Sequence, residues 1–244
     1  MTALAHKERR EAVEYDPFAG GELSRVVPTT EPQREVWLAD RLGDDASLAY
    51  NESVSLRLRG TLDTTALVTA LRALVERRDA FRANFGPDGE TLCVRKHVDI
   101  AVSRFDFSDL DATAREAALA ARRRHAVDTP FALGRDALLR AELVRLGPEE
   151  HVLLLTAHHI VCDGWSWWIL VRELGALYAQ AMDQAVEAPA AAASFADYAL
   201  QLALHSGGVR AEDETYWLSR FADGAPVLDL PLDRPRPARR GFAS

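Results

Sequence analysis

The chain has 244 residues with 29 Lys and Arg against 37 Asp and Glu, a formal net charge of −8, and so lacks the basic balance that binding a nucleic-acid backbone requires. Its 48% hydrophobic and 27% charged residues are the composition of a globular unit with a sizeable core. No stretch of about 18 apolar residues is present and the start, residues 1–15, is charged; with only Cys93 and Cys162, neither a membrane span, export nor a disulfide framework is predicted, and a reducing, cytoplasmic setting is expected.

Residues 1–27 show little periodicity, and Asp16-Pro17-Phe18-Ala19-Gly20-Gly21 reads as a turn in a linker, a tether from an upstream unit. A short helix is predicted over 32–42, with Val36 and Trp37 toward a core and Arg34, Glu35 and Asp40 outward. Residues 51–58 alternate as a strand through Val54, Leu56 and Leu58, ended by Gly60. Asp63 is placed to cap a helix with Leu67, Leu71, Leu74 and Arg78 on one face, whose C-terminal end brings Arg77 into reach of other elements. Strands follow over 91–96 and 100–105, then an alanine-rich helix over 112–126 in which Arg122-Arg123-Arg124 is expected on a solvated face. Apolar runs at 137–146 and 151–157 flank Gly147-Pro148-Glu149-Glu150 and predict a hairpin. Helices are predicted over 167–183, 194–205 and 211–222, the last two separated by Gly207-Gly208, before a Pro-rich tail with four arginines in 234–240.

Where the hairpin meets the first of those helices runs His158-His159-Ile160-Val161-Cys162-Asp163-Gly164-Trp165-Ser166. Adjacent residues at a strand end point to opposite faces, so one histidine is expected to face a cleft and the other to face packing. A neutral imidazole accepts a proton from an attacking amine or hydroxyl near neutral pH, which suits a general base of acyl transfer. Asp163 lies where its carboxylate can orient an imidazole or anchor the loop by pairing with a distant arginine. Gly164 is expected to permit a tight turn, and Ser166 to cap the next helix. The two histidines diverge and no third ligand stands at helical spacing, which speaks against a metal site. Cys162 reads as a small buried hydrophobe rather than a nucleophile. Trp165, Trp167 and Trp168 read as core packing. Gly164-Trp165-Ser166-Trp167-Trp168 lacks the closing glycine of a hydrolase nucleophile elbow.

This segment resembles the HHxxxDG signature of the condensation domains of nonribosomal peptide synthetases, within the chloramphenicol acetyltransferase-like superfamily. Thr30-Glu31-Pro32-Gln33-Arg34-Glu35-Val36-Trp37 is similar to the opening motif of that family. Arg77-Arg78-Asp79-Ala80-Phe81-Arg82 is similar to the second, with Arg78, Asp79 and Phe81 where His, Glu and Leu are usual. Pro130-Phe131-Ala132-Leu133 with Ala137-Leu138-Leu139-Arg140 agrees. Ser194-Phe195-Ala196-Asp197-Tyr198-Ala199 resembles the fourth motif, with Gln201 where a tryptophan is common. Heterocyclization domains replace both histidines, and epimerization domains share the core signature.

The resemblance spans 28–237. It implies an α/β fold, a chloramphenicol acetyltransferase-like two-layer sandwich lobe with helices packed on a mixed sheet. It divides the chain into a tether at 1–27, an N-terminal lobe at 28–233 and a tail at 234–244 leading to a C-terminal lobe. The implied reaction is an acyl transfer that forms an amide between a carrier-bound acyl or peptidyl thioester and a carrier-bound aminoacyl amine, not expected of this lobe without its C-terminal partner. No metal, nucleotide or flavin is implied; the substrates arrive on the phosphopantetheine of donor and acceptor carrier proteins. Implied roles are general base or amine positioning for His159, support of the loop for His158 and Gly164, and a scaffolding pair of Asp163 with Arg77. Implied partners are the carriers, the C-terminal lobe and neighbouring synthetase or polyketide synthase modules. A related acyltransferase, an epimerization domain and a non-catalytic carrier-docking lobe are the alternatives. The arginine runs at 122–124 and 234–240 are a solvated face and an exposed linker, or a surface for an acidic carrier. The face a second lobe covers predicts self-association.

Overall fold

The computed structural model describes residues 21–227 and 230–235. Residues 1–20 of the segment expected as a tether, and 236–240 of the arginine-rich tail, lie outside the described residues. The chain enters the fold earlier than its periodicity indicates: β1 (Leu23–Pro28) lies within the segment expected as a tether, and because only Val27 is buried, no alternation announces it. Thr30 then starts α1 (Glu31–Asp40) through a capping box, its hydroxyl accepting from the Gln33 amide while the Gln33 side chain accepts from the Thr30 amide. The short α2 (Asp44–Leu48) has too few residues for a readable period. Next come β2 (Asn51–Arg59) and α3 (Thr64–Arg77), where Asp63 accepts from the amides of Thr65 and Ala66 as predicted. A 3₁₀ turn at Asp79–Arg82 leads to β3 (Ala83–Phe85), followed by β4 (Thr91–Arg95), β5 (Val102–Asp106) and α4 (Ala112–Val127). The predicted hairpin is β6 (Leu139–Gly147) and β7 (Glu150–His158), closed by a Gly147–Glu150 pair. The chain continues through α5 (Gly164–Ala181) and α6 (Phe195–Arg220).

Two predicted helices at 194–205 and 211–222 are one, because α6 runs through Gly207-Gly208. Glycine costs about 1 kcal/mol per residue relative to alanine in a helix, which weakens but does not end it in the absence of proline.

The larger sheet has the order β2-β7-β6-β5, with β5 parallel to β6 and the other pairs antiparallel. It is the mixed sheet expected, and a second, antiparallel sheet of order β1-β4-β3 lies beside it. On one face of the larger sheet, Leu153, Leu155 and Ala157 of β7 pack with Leu67, Leu71 and Leu74 of α3 and with Trp167, Leu170 and Leu174 of α5. On the other, Val152 and Leu154 meet Leu119 of α4. Helices on both faces explain why β7 reads as an unbroken apolar run. A further cluster of Val27, Trp37, Phe85, Leu92, Phe131 and Ile160 lies against the small sheet. There Gly89 has φ +75°, and an added Cβ would sit 2.5 Å from Trp37 Cδ2, so both backbone and space demand glycine.

Arg122 is not on a solvated face. It forks onto Glu142 at 2.7 and 2.9 Å and its guanidinium lies 4.1 Å over the Phe105 ring. Among the described residues no helix is long and apolar enough to cross a membrane.

Candidate active site

The loop after β7 is held where the two large apolar clusters meet. Ile160 enters the cluster of Trp37 and Phe131, whereas Cys162 enters the one between α3, α5 and the sheet. The Val161 amide closes a turn onto the His158 carbonyl at 3.1 Å, and the Gln33 side chain donates to the Ile160 carbonyl at 3.2 Å, tying α1 to the loop. Strand alternation carries straight into this anchored turn. His158 follows Val152 and Leu154 toward the α4 face, and His159 follows Leu155 and Ala157 toward α5.

His158 is fully buried, between Tyr50 at 5.9 Å and the edge-on Phe131 ring at 6.1 Å. The Ile160 amide donates to its Nδ1 at 3.2 Å, so in the neutral ring the proton sits on Nε2. That nitrogen faces Asp40 Oδ1 at 3.4 Å, outside hydrogen-bond geometry, and the contact is electrostatic. Burial works to raise the Asp40 carboxyl, but His158 and Ser47 outweigh it and hold the group below the usual carboxylate range.

His159 is the opposite case, its side chain 40% exposed and stacked at 6.3 Å on Tyr50. Its amide donates to the Tyr50 carbonyl at 2.8 Å, extending the β2–β7 ladder by one step. Its Nδ1 lies 2.9 Å from the Cys162 carbonyl and 2.7 Å from Glu52 Oε1. Both neighbours only accept, so in the neutral ring Nδ1 carries the proton and Nε2 is the nitrogen with a free lone pair. One histidine toward packing and one toward the open side is the arrangement alternation predicts.

Four expectations are corrected here. The Asp163–Arg77 pair does not form. Asp163 is the N-cap of α5, its Oδ1 accepting from the Ser166 amide at 2.8 Å and hydroxyl at 2.5 Å, so Asp163 rather than Ser166 caps the helix. These Ser166 bonds, with a smaller contribution from His159, hold its carboxyl below the usual range against a modest effect of burial. Arg77 instead donates to the carbonyls of Pro189 and Ala190 at 3.3 and 2.5 Å and lies 3.7 Å from Glu173. Gly164 needs no left-handed turn, being the first residue of α5 with a φ outside the left-handed region; among the described residues nothing beyond its chain neighbours and its own helix backbone lies within 4 Å of where a Cβ would stand. Finally, of the three tryptophans only Trp167 is buried, while Trp165 and Trp168 are 78% and 79% exposed.

Burial, with the Glu52 and Asp163 charges, pushes the Cys162 thiol up to about 12, so it is no thiolate near neutral pH. Among the described residues no group of three His, Cys, Asp or Glu side chains is placed to hold a metal ion. A cleft of about 360 Å³ opens beside the loop, lined by Asp79, Phe81, Val161, Ser166, Phe195 and Tyr198.

The sequence profile of the family described as Condensation domain matches residues 23–244. The chain belongs to the condensation-domain family. It is 34% identical to tyrocidine synthase 2 of Brevibacillus parabrevis over 241 residues, 98% of this chain but 6% of that protein. A solved X-domain, in complex with OxyB from teicoplanin biosynthesis, is 32% identical with TM-score 0.74, covering 87% of this chain and 47% of that one. The starter condensation domain of rhizomide synthetase RzmA shares the fold at TM-score 0.73 and 23% identity, covering 83% and 49%. The chain thus spans about half the length of the solved relatives and a small part of the synthase.

Two departures from the second condensation-domain motif have structural roles. Arg78, where histidine is usual, forks onto Glu173 at 2.6 and 3.0 Å, and the Glu173 side chain is only 9% exposed. Asp79, where glutamate is usual, accepts from the Ser194 hydroxyl and the Phe195 and Ala196 amides at the start of α6. Burial would raise its carboxyl, but these donors outweigh burial and hold it below the usual range.

Glu52 is the residue the sequence reading missed. It stands on β2 opposite Ala157, on the same face as Val54 and Leu56, so it is a carboxylate in the inward phase of an alternating strand. That phase was the signal available.

Proposed function

We propose that this chain is the N-terminal lobe of a peptide-synthetase condensation domain, residues 28–233, with the tail leading to a C-terminal lobe that completes the channel. The substrates are a donor acyl or peptidyl thioester and an aminoacyl acceptor, each on the phosphopantetheine of a carrier protein in the cytoplasm, with neighbouring synthetase or polyketide synthase modules supplying them. The observation that carries this reading is the loop itself. Its inner residues are anchored in two cores, while His159 is 40% exposed and turns its Nδ1 to two acceptors.

In this reading the acceptor's neutral α-amine attacks the thioester carbonyl, forming the C–N bond as the carbonyl electrons move to oxygen. The amine proton passes to His159 Nε2. Collapse of the tetrahedral intermediate breaks the C–S bond, and the thiolate takes up a proton from the imidazolium. Gly164 leaves the approach to the first turn of α5 clear, and His158 holds the loop from behind. The lobe itself supplies no metal, nucleotide or flavin to these steps.

Mass spectrometry of amide formation between a loaded donor carrier and an aminoacyl carrier tests this, using the complete condensation domain that contains this chain. Product from the parent and a loss of about 10²- to 10⁴-fold in His159→Ala is expected. Absence of product from folded parent domain, or undiminished product from the variant, overturns it. The capture of OxyB by the solved X-domain favours, as a second reading, a docking lobe; a folded parent that binds carriers without forming product supports that instead.

A further inference from the structure

We propose that Glu52 is a positioning residue for His159, bridging the imidazole and the Trp167 indole so that the Nε2 lone pair is held toward the acceptor amine. This rests on the reading of His159 as the group that takes the amine proton. Glu52 Oε1 lies 2.7 Å from His159 Nδ1 and its Oε2 accepts from Trp167 Nε1 at 3.1 Å, so the two oxygens fix the carboxylate at both ends. Trp167 is buried in the core between α5 and the sheet and Glu52 stands on β2, so the bridge ties the histidine to the rigid parts of the lobe.

A structural duty alone does not account for a charged group here. A buried indole N–H is satisfied by any neutral acceptor, and an inward strand position beside Val54 and Leu56 suits an apolar side chain. The side chain is 30% exposed and lies against the His159 ring, and among the described residues no lysine or arginine pairs with it. The Cys162 carbonyl already accepts the Nδ1 proton. What Glu52 adds is a negative charge beside a ring that becomes positive when Nε2 takes the amine proton. A third group that orients a general base and complements its charged form is a recurrent solution in acyl transfer.

The test uses the complete condensation domain. Glu52→Gln keeps the shape and an acceptor for Trp167 but removes the charge. Its kcat for amide formation is expected to fall roughly 10- to 100-fold with KM for both carriers and the melting temperature unchanged. Trp167→Phe, which frees one end of the carboxylate, is expected to lower kcat by a smaller factor, again without a change in KM. A fully active Glu52→Gln beside an inactive His159→Ala removes the assignment and leaves the reaction reading intact; an active His159→Ala removes the reading on which it rests. Should Glu52→Gln not fold, Trp167→Phe decides: a lowered kcat at unchanged KM and melting temperature supports the proposal, and an unchanged kcat overturns it.

Discussion

On the inner side of the loop, His158 touches Tyr50, Phe131 and Asp40 and no solvent; one residue later His159 is 40% exposed and meets only acceptors at Nδ1. The same side chain therefore does two kinds of work at adjacent positions, and what separates them is the alternation of a strand end. A residue on the inner side can be replaced only at a cost in folding. A residue on the open side can be replaced at a cost in chemistry alone, because its ring carries little of the core.

The largest effect should fall on the open side. His159→Ala is expected to lower amide formation by about 10²- to 10⁴-fold while its urea midpoint stays at the parent value; a midpoint that drops with the rate breaks the division. Behind the loop, Arg78→Ala strands the mostly buried Glu173 with Arg77 at 3.7 Å as its remaining cation, and is expected to cost about 3 kcal/mol of stability. His158→Ala empties a fully buried site and takes the imidazole from Asp40. It is expected to cost about 2 kcal/mol, read from urea unfolding, with rate lost only as folded protein is lost.

The hairpin, the Asp63 and His158/His159 placements and the large-sheet helices were legible because each rests on a local pattern: period two, a cap residue, or a Gly-Pro turn between apolar runs. The partners of charged groups were not. Asp163 and Arg77 were matched by the need of a carboxylate for a cation, yet Asp163 satisfies itself within its own helix turn through Ser166. The acid that the end of α3 does reach is Glu173, further along α5, and its identity depends on how α3 packs on α5. Glu52 was hidden for a similar reason: its inward phase is visible in the strand pattern, but its contact with His159 is made only when β2 pairs with β7. Trp165 and Trp168 show the limit of composition, since an exposed tryptophan near a helix start has the same letter as a buried one.

The smallest effect sharpens the comparison most. If Asp163 were half of a buried ion pair, its loss would cost about 3–5 kcal/mol; as an exposed helix cap, Asp163→Ala should cost about 1 kcal/mol. The pH dependence separates the two further. Because Ser166 holds the folded carboxyl below its ordinary range, the unfolded chain binds the proton first as pH falls. The cap's contribution is therefore complete above the unfolded value of about 3.9 and is lost as pH falls through the lower folded value. Urea midpoints of the parent and Asp163→Ala should differ by a constant amount from pH 8 to pH 5 and converge in stronger acid. A difference several times larger at neutral pH would return Asp163 to the role of a buried anchor. A small one, with amide formation retained, leaves the loop held by Ile160, Cys162 and Gln33 from within, and free to present His159.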